Sequence, residues 1–168
     1  MTVEQIFLNS AAGKLAENID RIEACVPKLP DGFLWSRPSE NENAVGNLLL
    51  HLEGNLRQWI LSGIGGAPDA RHRPTEFAAR SGPPGTVLVA NLRAVVHDAV
   101  RVIRTLPHAR LTEAVTIQGY ESTVLDAIFH VVEHFSGHTY QIILMTKQAT
   151  HADLGFYGYL EETGRKEK

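Results

Sequence analysis

The sequence predicts an all-α protein, a four-helix bundle with its C-terminal segment docked on the bundle. Four long stretches repeat apolar residues at spacings of three and four, the period of a helix with one buried face. Prolines, glycines or capping residues bracket those stretches. The tail Leu154-Gly155-Phe156-Tyr157-Gly158-Tyr159-Leu160 is too aromatic to stand free in water.

The first helix is predicted from about Val3 to Cys25, with Ile6, Phe7, Leu15, Ile19 and Ile22 on its stripe; Pro27 and Pro30 end it. The second follows Ser39-Glu40-Asn41-Glu42, which has the Ser-x-x-Glu form of a capping box. It runs through Val45, Leu48, Leu49, Leu52, Leu56, Trp59 and Ile60 and stops near Gly63-Ile64-Gly65-Gly66. The segment Ala67 to Pro74 reads as an ordered loop or a broken helical turn. The third helix spans about Thr86 to Leu106, between Pro83-Pro84-Gly85 and Pro107. Val115-Thr116-Ile117-Gln118, before Gly119, makes a short extended piece. The fourth helix starts near Ser122 or Thr123, where Thr123 and Asp126 can cap, and runs to about Lys147.

At 168 residues the chain has room for one domain with its own core. Residues 1–160 are assigned to it and 161–168 to a polar, frayed tail. A hydrophobic content of 43% and a charged content of 21% exclude a disordered or membrane class. The net charge of -3 gives no electrostatic reason to expect nucleic acid. No apolar run approaches the roughly 18 residues of a membrane span, and Met1-Thr2-Val3-Glu4 does not open a secretory leader. Cys25 is the only cysteine, which excludes an intramolecular disulfide and fits a reducing cytoplasm. Near the end of the first helix, it reads as a buried small residue rather than a nucleophile.

Three of the eight histidines recur at i, i+4 and i+8 on the fourth helix: His130, His134 and His138. They cannot all hold one ion. His130 and His138 are about 12 Å apart along the axis, whereas a zinc–nitrogen bond is only about 2.0–2.1 Å. His134 therefore pairs with one neighbour or the other. Pairing with His130 gives His-Val-Val-Glu-His, the pattern of inverted zinc proteases, in which Glu133 would be the general base. Pairing with His138 leaves no acid between the ligands. The apolar arc is centred between Val124, Leu125, Ile128, Phe135 and Ile142. At about 100° per residue, His138 lies about 100° from that centre, His134 about 140° and His130 about 180°. The His134/His138 pair is favoured, and His130 is expected to face solvent or another chain.

His51 on the second helix shares a polar stripe with Asn47, Asn55 and Gln58, at the edge of the apolar arc. It can supply a third imidazole, giving a facial three-nitrogen set with open positions. Asn55 or Gln141 can orient a ligand histidine from behind. His72, His97, His108 and His151 have no partner spacing and read as surface residues, and Trp59 reads as core.

Two segments carry a resemblance. Asn47-Leu48-Leu49-Leu50-His51-Leu52-Glu53-Gly54-Asn55-Leu56-Arg57-Gln58-Trp59-Ile60 and His134-Phe135-Ser136-Gly137-His138-Thr139-Tyr140-Gln141-Ile142 resemble the DinB/YfiT-like superfamily, in particular a branch of unknown function. Arg73-Pro74-Thr75-Glu76-Phe77 and Asp153-Leu154-Gly155-Phe156-Tyr157 are similar to the same branch. The resemblance implies a bundle with a long crossover connection, often dimeric. It also implies one divalent metal, nickel or zinc, held by His51, His134 and His138. One position departs: many relatives have Gly before the final Gln of the motif, where this chain has Tyr140 before Gln141. Characterised relatives include thiol-dependent S-transferases and isomerases that use low-molecular-weight thiols such as bacillithiol or mycothiol.

Three functions are therefore on the table. One is a metal-dependent enzyme, a thiol S-transferase or a hydrolase, acting on a small-molecule substrate, with a low-molecular-weight thiol as a further cofactor candidate. No residue stands out as its general base, since Glu133 lies off the His134/His138 face. The second is a non-catalytic metal-binding or stress-response homodimer built on the first helix and the aromatic tail. The third is a bundle whose histidines bind no metal.

Overall fold

The structure is a computed structural model that describes residues 1–158. It is mostly helical. Helix α1 spans Val3–Cys25, α2 Val45–Leu56, α3 Arg73–Ala78, α4 Gly85–Arg104 and α5 Val124–Thr150. A two-stranded antiparallel hairpin, β1 (Ala114–Ile117) and β2 (Tyr120–Thr123), leads into α5. Its turn needs two left-handed residues, and Gln118 (φ 55°) and Gly119 (φ 79°) supply them. Among the described residues no helix is long and apolar enough to cross a membrane.

The long helices form a ring. α1 packs on α4 and α5, and α2 packs on the same two helices from across the bundle. Because α1 and α2 are consecutive yet sit on opposite sides, residues 26–44 must cross the end of the bundle. The core between the helices is made by fully buried Leu15, Ile19, Leu49, Leu52, Leu92, Ile128 and Phe135. Leu154 and Phe156 pack against it. The Arg21 guanidinium lies 5.7 Å from the rings of both Phe156 and Tyr157, so the tail docks on α1 through this cation. Tyr159, Leu160 and the expected frayed end at 161–168 lie outside the described residues.

Helix boundaries follow local chemistry, with two departures from the sequence reading. The Ser39/Glu42 pair does not cap α2. Ser39 Oγ hydrogen-bonds Glu42 Oε1 at 3.0 Å inside a separate turn, and α2 starts later. There Asn47 Oδ1 accepts from the Ala44 N–H at 3.1 Å. Leu125, placed in the apolar arc of α5, is 37% exposed. At the start of α5, Thr123 Oγ1 accepts from the Asp126 N–H at 3.2 Å. Thr123→Ala is expected to cost about 1 kcal/mol and lower the melting temperature by about 2–4 °C. Calorimetry checks this, and an unchanged midpoint would show that the cap carries no stability.

After Leu56 the second helix does not stop but widens into a π-helix over Arg57–Ser62. The N–H groups of Gly63 and Gly65 accordingly reach back five residues, to Gln58 O (2.9 Å) and Ile60 O (2.8 Å). A π turn fits an extra residue into the helix and recurs at functional sites. Here it displays Gln58 and Trp59 on the side facing α5 and the hairpin.

Candidate metal centre

Two helices meet where the polar stripe of α2 faces α5. His51 is 5% exposed, and His134 and His138 are half-buried one turn apart. One ring nitrogen from each of the three lies within 4.8 Å of the other two. The His51 and His134 Nε2 atoms are 2.9 Å apart. The His138 ring stands edge-on to both, its centroid 5.1 Å from His51 and 4.5 Å from His134.

The hydrogen bonds behind the rings fix their tautomers. His51 Nδ1 lies 2.8 Å from Glu76 Oε2, so this nitrogen carries the proton and donates it to the carboxylate. Arg71 grips the same carboxylate twice, Nε to Oε1 at 2.7 Å and Nη2 to Oε2 at 2.9 Å. Arg71 Nη2 also lies 3.1 Å from His51 Nδ1; both are donors, and Glu76 accepts from both. His138 Nδ1 lies 2.7 Å from Gln141 Oε1 and donates to it. His51 and His138 therefore keep their Nε2 lone pairs for the space between the rings. His134 Nδ1 is buried without a partner among the described residues.

Electrostatics disfavour the charged form of two of the three imidazoles. Burial, reinforced by the neighbouring His138 and His51, pushes the His134 imidazole down to about 3. Burial also lowers His138, partly offset by its hydrogen bond to Gln141. Glu76 is held below the ordinary glutamate value: burial opposes this, and the hydrogen bonds from Arg71 and His51 outweigh burial. Three imidazoles backed by one ionised carboxylate form a donor set suited to a borderline divalent metal. The 2.9 Å spacing agrees with the roughly 2.9–3.4 Å between ligand nitrogens that a metal with bonds of 2.0–2.1 Å imposes.

Glu76 reaches His51 because α3 is pinned against α2. Asn47 Nδ2 donates to the carbonyls of Glu76 (2.8 Å) and Ala79 (2.9 Å), while its Oδ1 accepts from Arg37 Nη2 (2.8 Å). Gly54 makes the close approach possible. A Cβ there would collide with Glu76 Oε1 and come within 2.9 Å of Arg71 Nε. Sequence reasoning gave neither Arg71 nor Glu76 a role in the site: Arg71 fell in a stretch read as an ordered loop or a broken helical turn, and Glu76 only in a run resembling the family. Pro74 near the start of a short helix, with Glu76 in its first turn, was the available signal.

Gln141 contacts His138, whereas Asn55 hydrogen-bonds none of the three imidazoles and lines a cavity beside them. His130 is half-buried rather than fully exposed, with its ring 4.4 Å from Trp59 on the wall of the same cavity. It is not among the three nitrogens that converge, and Glu133 is exposed. Trp59 is 6% exposed. His72, His97, His108 and His151 are all exposed. Cys25 is buried, and burial pushes its thiol up. Tyr140 points away from the imidazoles and accepts a hydrogen bond from Arg21 Nη1 at 3.1 Å, so the bulk at this position packs towards α1.

Fold and site together define a helical bundle in which two facing helices gather three histidines able to hold a metal ion. The model of a family described as a protein of unknown function (DUF1572) matches residues 2–157, and the chain belongs to that family. The family sits within the DinB/YfiT-like clan. The chain matches no curated protein.

Proposed function

We propose that the protein is a metal-dependent enzyme of the thiol S-transferase or hydrolase type, with one divalent ion, nickel or zinc, held by His51, His134 and His138. The carrying observation is the convergence of these nitrogens while Glu76 and Gln141 occupy the Nδ1 atoms of His51 and His138. A bound divalent ion would supply Lewis-acid activation of a water or thiol near neutral pH. The chain supplies the rest. Glu76 and Arg71 fix the His51 ring, Gln141 fixes the His138 ring, and a cavity of about 630 Å³ beside His51 and His134 gives a substrate room.

Elemental analysis of untagged protein tests this reading in wild type, His138→Ala and His130→Ala. About one metal per chain in wild type and His130→Ala, with none in His138→Ala, supports it. Metal lost in His130→Ala but kept in His138→Ala would move the site to the His130/His134 pair, and no metal in any of them would remove the basis for an enzyme.

A second reading, a non-catalytic metal-binding homodimer, draws on one observation. Ile6 and Phe129 are 50% and 60% exposed, and Phe129 lines a shallow depression between α1 and α5 with Phe7, Ala11 and Val132, bordered by Ser10 and Lys14. Sedimentation showing a dimer that Phe129→Glu dissociates, with no turnover by the metal-loaded protein, would favour it. A cytoplasmic location and the absence of nucleic-acid partners belong to this proposal and rest on the single buried cysteine and the net charge of -3.

A further inference from the structure

We propose that the cavity beside His51 and His134 binds a small zwitterionic peptide, a molecule with a free ammonium group, an amide and a carboxylate. This names a substrate class for the metal-site reading and rests on that reading for turnover, though not for binding.

Charge on the cavity walls comes first. Arg71 is used up by Glu76, but Arg73, at the start of α3, pairs with no carboxylate among the described residues; its guanidinium lies 4.8 Å from the Phe77 ring. Glu121 from β2 and Asp126 from the first turn of α5 line the same cavity, and no base pairs with either among the described residues. Asp126 only accepts from Thr123 Oγ1, at 2.8 Å. One cavity therefore has an unpaired cation on one element and two unpaired carboxylates on others. A ligand of single charge would satisfy one wall and be repelled by the other, whereas a zwitterion satisfies both.

The α2 wall supplies an independent observation. Asn55 and Trp59 are 4% and 6% exposed, and both line the cavity. Asn55 Oδ1, an acceptor, and Trp59 Nε1, a donor, have no partner among the described residues. A buried polar atom left unmade is costly, and a ligand that reaches this wall can complete both. An acceptor and a donor on neighbouring turns are the complement of one amide group. The Trp59 ring, tilted against His130 with centroids 4.4 Å apart, adds apolar surface for short side chains. A cavity of about 630 Å³ has ample room for a small molecule that carries ammonium, amide and carboxylate together.

Calorimetric titration with alanyl-alanine, its N-acetyl derivative and its C-terminal amide tests the proposal. The free dipeptide is expected to bind tightest, with either block weakening it about tenfold. In Arg73→Gln the free dipeptide and its amide become equal. In the Glu121→Gln/Asp126→Asn variant the free dipeptide and its N-acetyl form become equal. Equal binding of all three probes to wild type, no binding of the dipeptide, or preference for a blocked form overturns the zwitterion. The metal content of each sample separates this from the metal reading. Charge-selective binding without metal keeps the cavity and removes the metal centre, and one metal per chain without charge selectivity does the reverse.

Discussion

Glu76→Gln is expected to lower the affinity for a divalent metal by about 10- to 100-fold, the usual loss when the carboxylate behind a ligand histidine is removed. The charged acceptor that holds the proton on His51 Nδ1 is replaced by a neutral amide. The ring then loses its fixed orientation and part of the basicity at Nε2. The same change strips Arg71, whose side chain is 3% exposed, of its only ion-pair partner among the described residues. A buried charge left alone costs about 3–5 kcal/mol, so the metal-free variant should also unfold more easily. Gly54→Ala separates the two effects. It keeps every hydrogen-bonding group but forces Glu76 and Arg71 off α2, because its Cβ has no room beside them. Competition against a chromogenic chelator, at a temperature where all variants are folded, reads the affinity. Wild-type affinity in both variants would show that the carboxylate does not position His51 for a metal.

This carboxylate was the part of the site that the sequence hid. α1, α4 and α5 were legible because each is long enough for its apolar period to repeat several times between prolines or caps. The His134/His138 pair was legible for the same reason, since side-chain direction on a long helix follows from spacing, whereas the family resemblance implied that His51 joins them. α3 has only six residues and no period to read. It is held by tertiary bonds from Asn47 to the carbonyls of Glu76 and Ala79, which no local pattern encodes. The partial burial of His130 was hidden for a related reason. A wheel drawn on α5 alone sends it to solvent or another chain, but the π turn at Arg57–Ser62 sets Trp59 against it. The wheel describes one helix, whereas burial is decided by what the neighbouring helix presents.

Acidification should destabilise the metal-free protein well before ordinary carboxylates titrate. His134 sits at about 3 in the folded protein against an ordinary 6.5. Between those values the unfolded chain takes up a proton at this position and the native chain does not. Stability is therefore complete above pH 6.5 and falls as the pH drops from 6.5 towards 3, with one such group contributing at most about 1.4 kcal/mol per pH unit. His138, lowered by the same burial, adds to the slope in the same direction. Glu76 joins only below its ordinary 4.5, because a carboxylate held low in the fold loses its contribution as it becomes protonated. The window from pH 6.5 to 4.5 thus belongs to the histidines. Melting temperatures of the metal-free protein at pH 7.5, 6.0 and 5.0 should fall in sequence, and His134→Asn should flatten the decline. A wild-type midpoint that stays level across this window would mean that the imidazoles are solvated and free to charge. The close neutral cluster on which the metal reading depends would then not exist in solution.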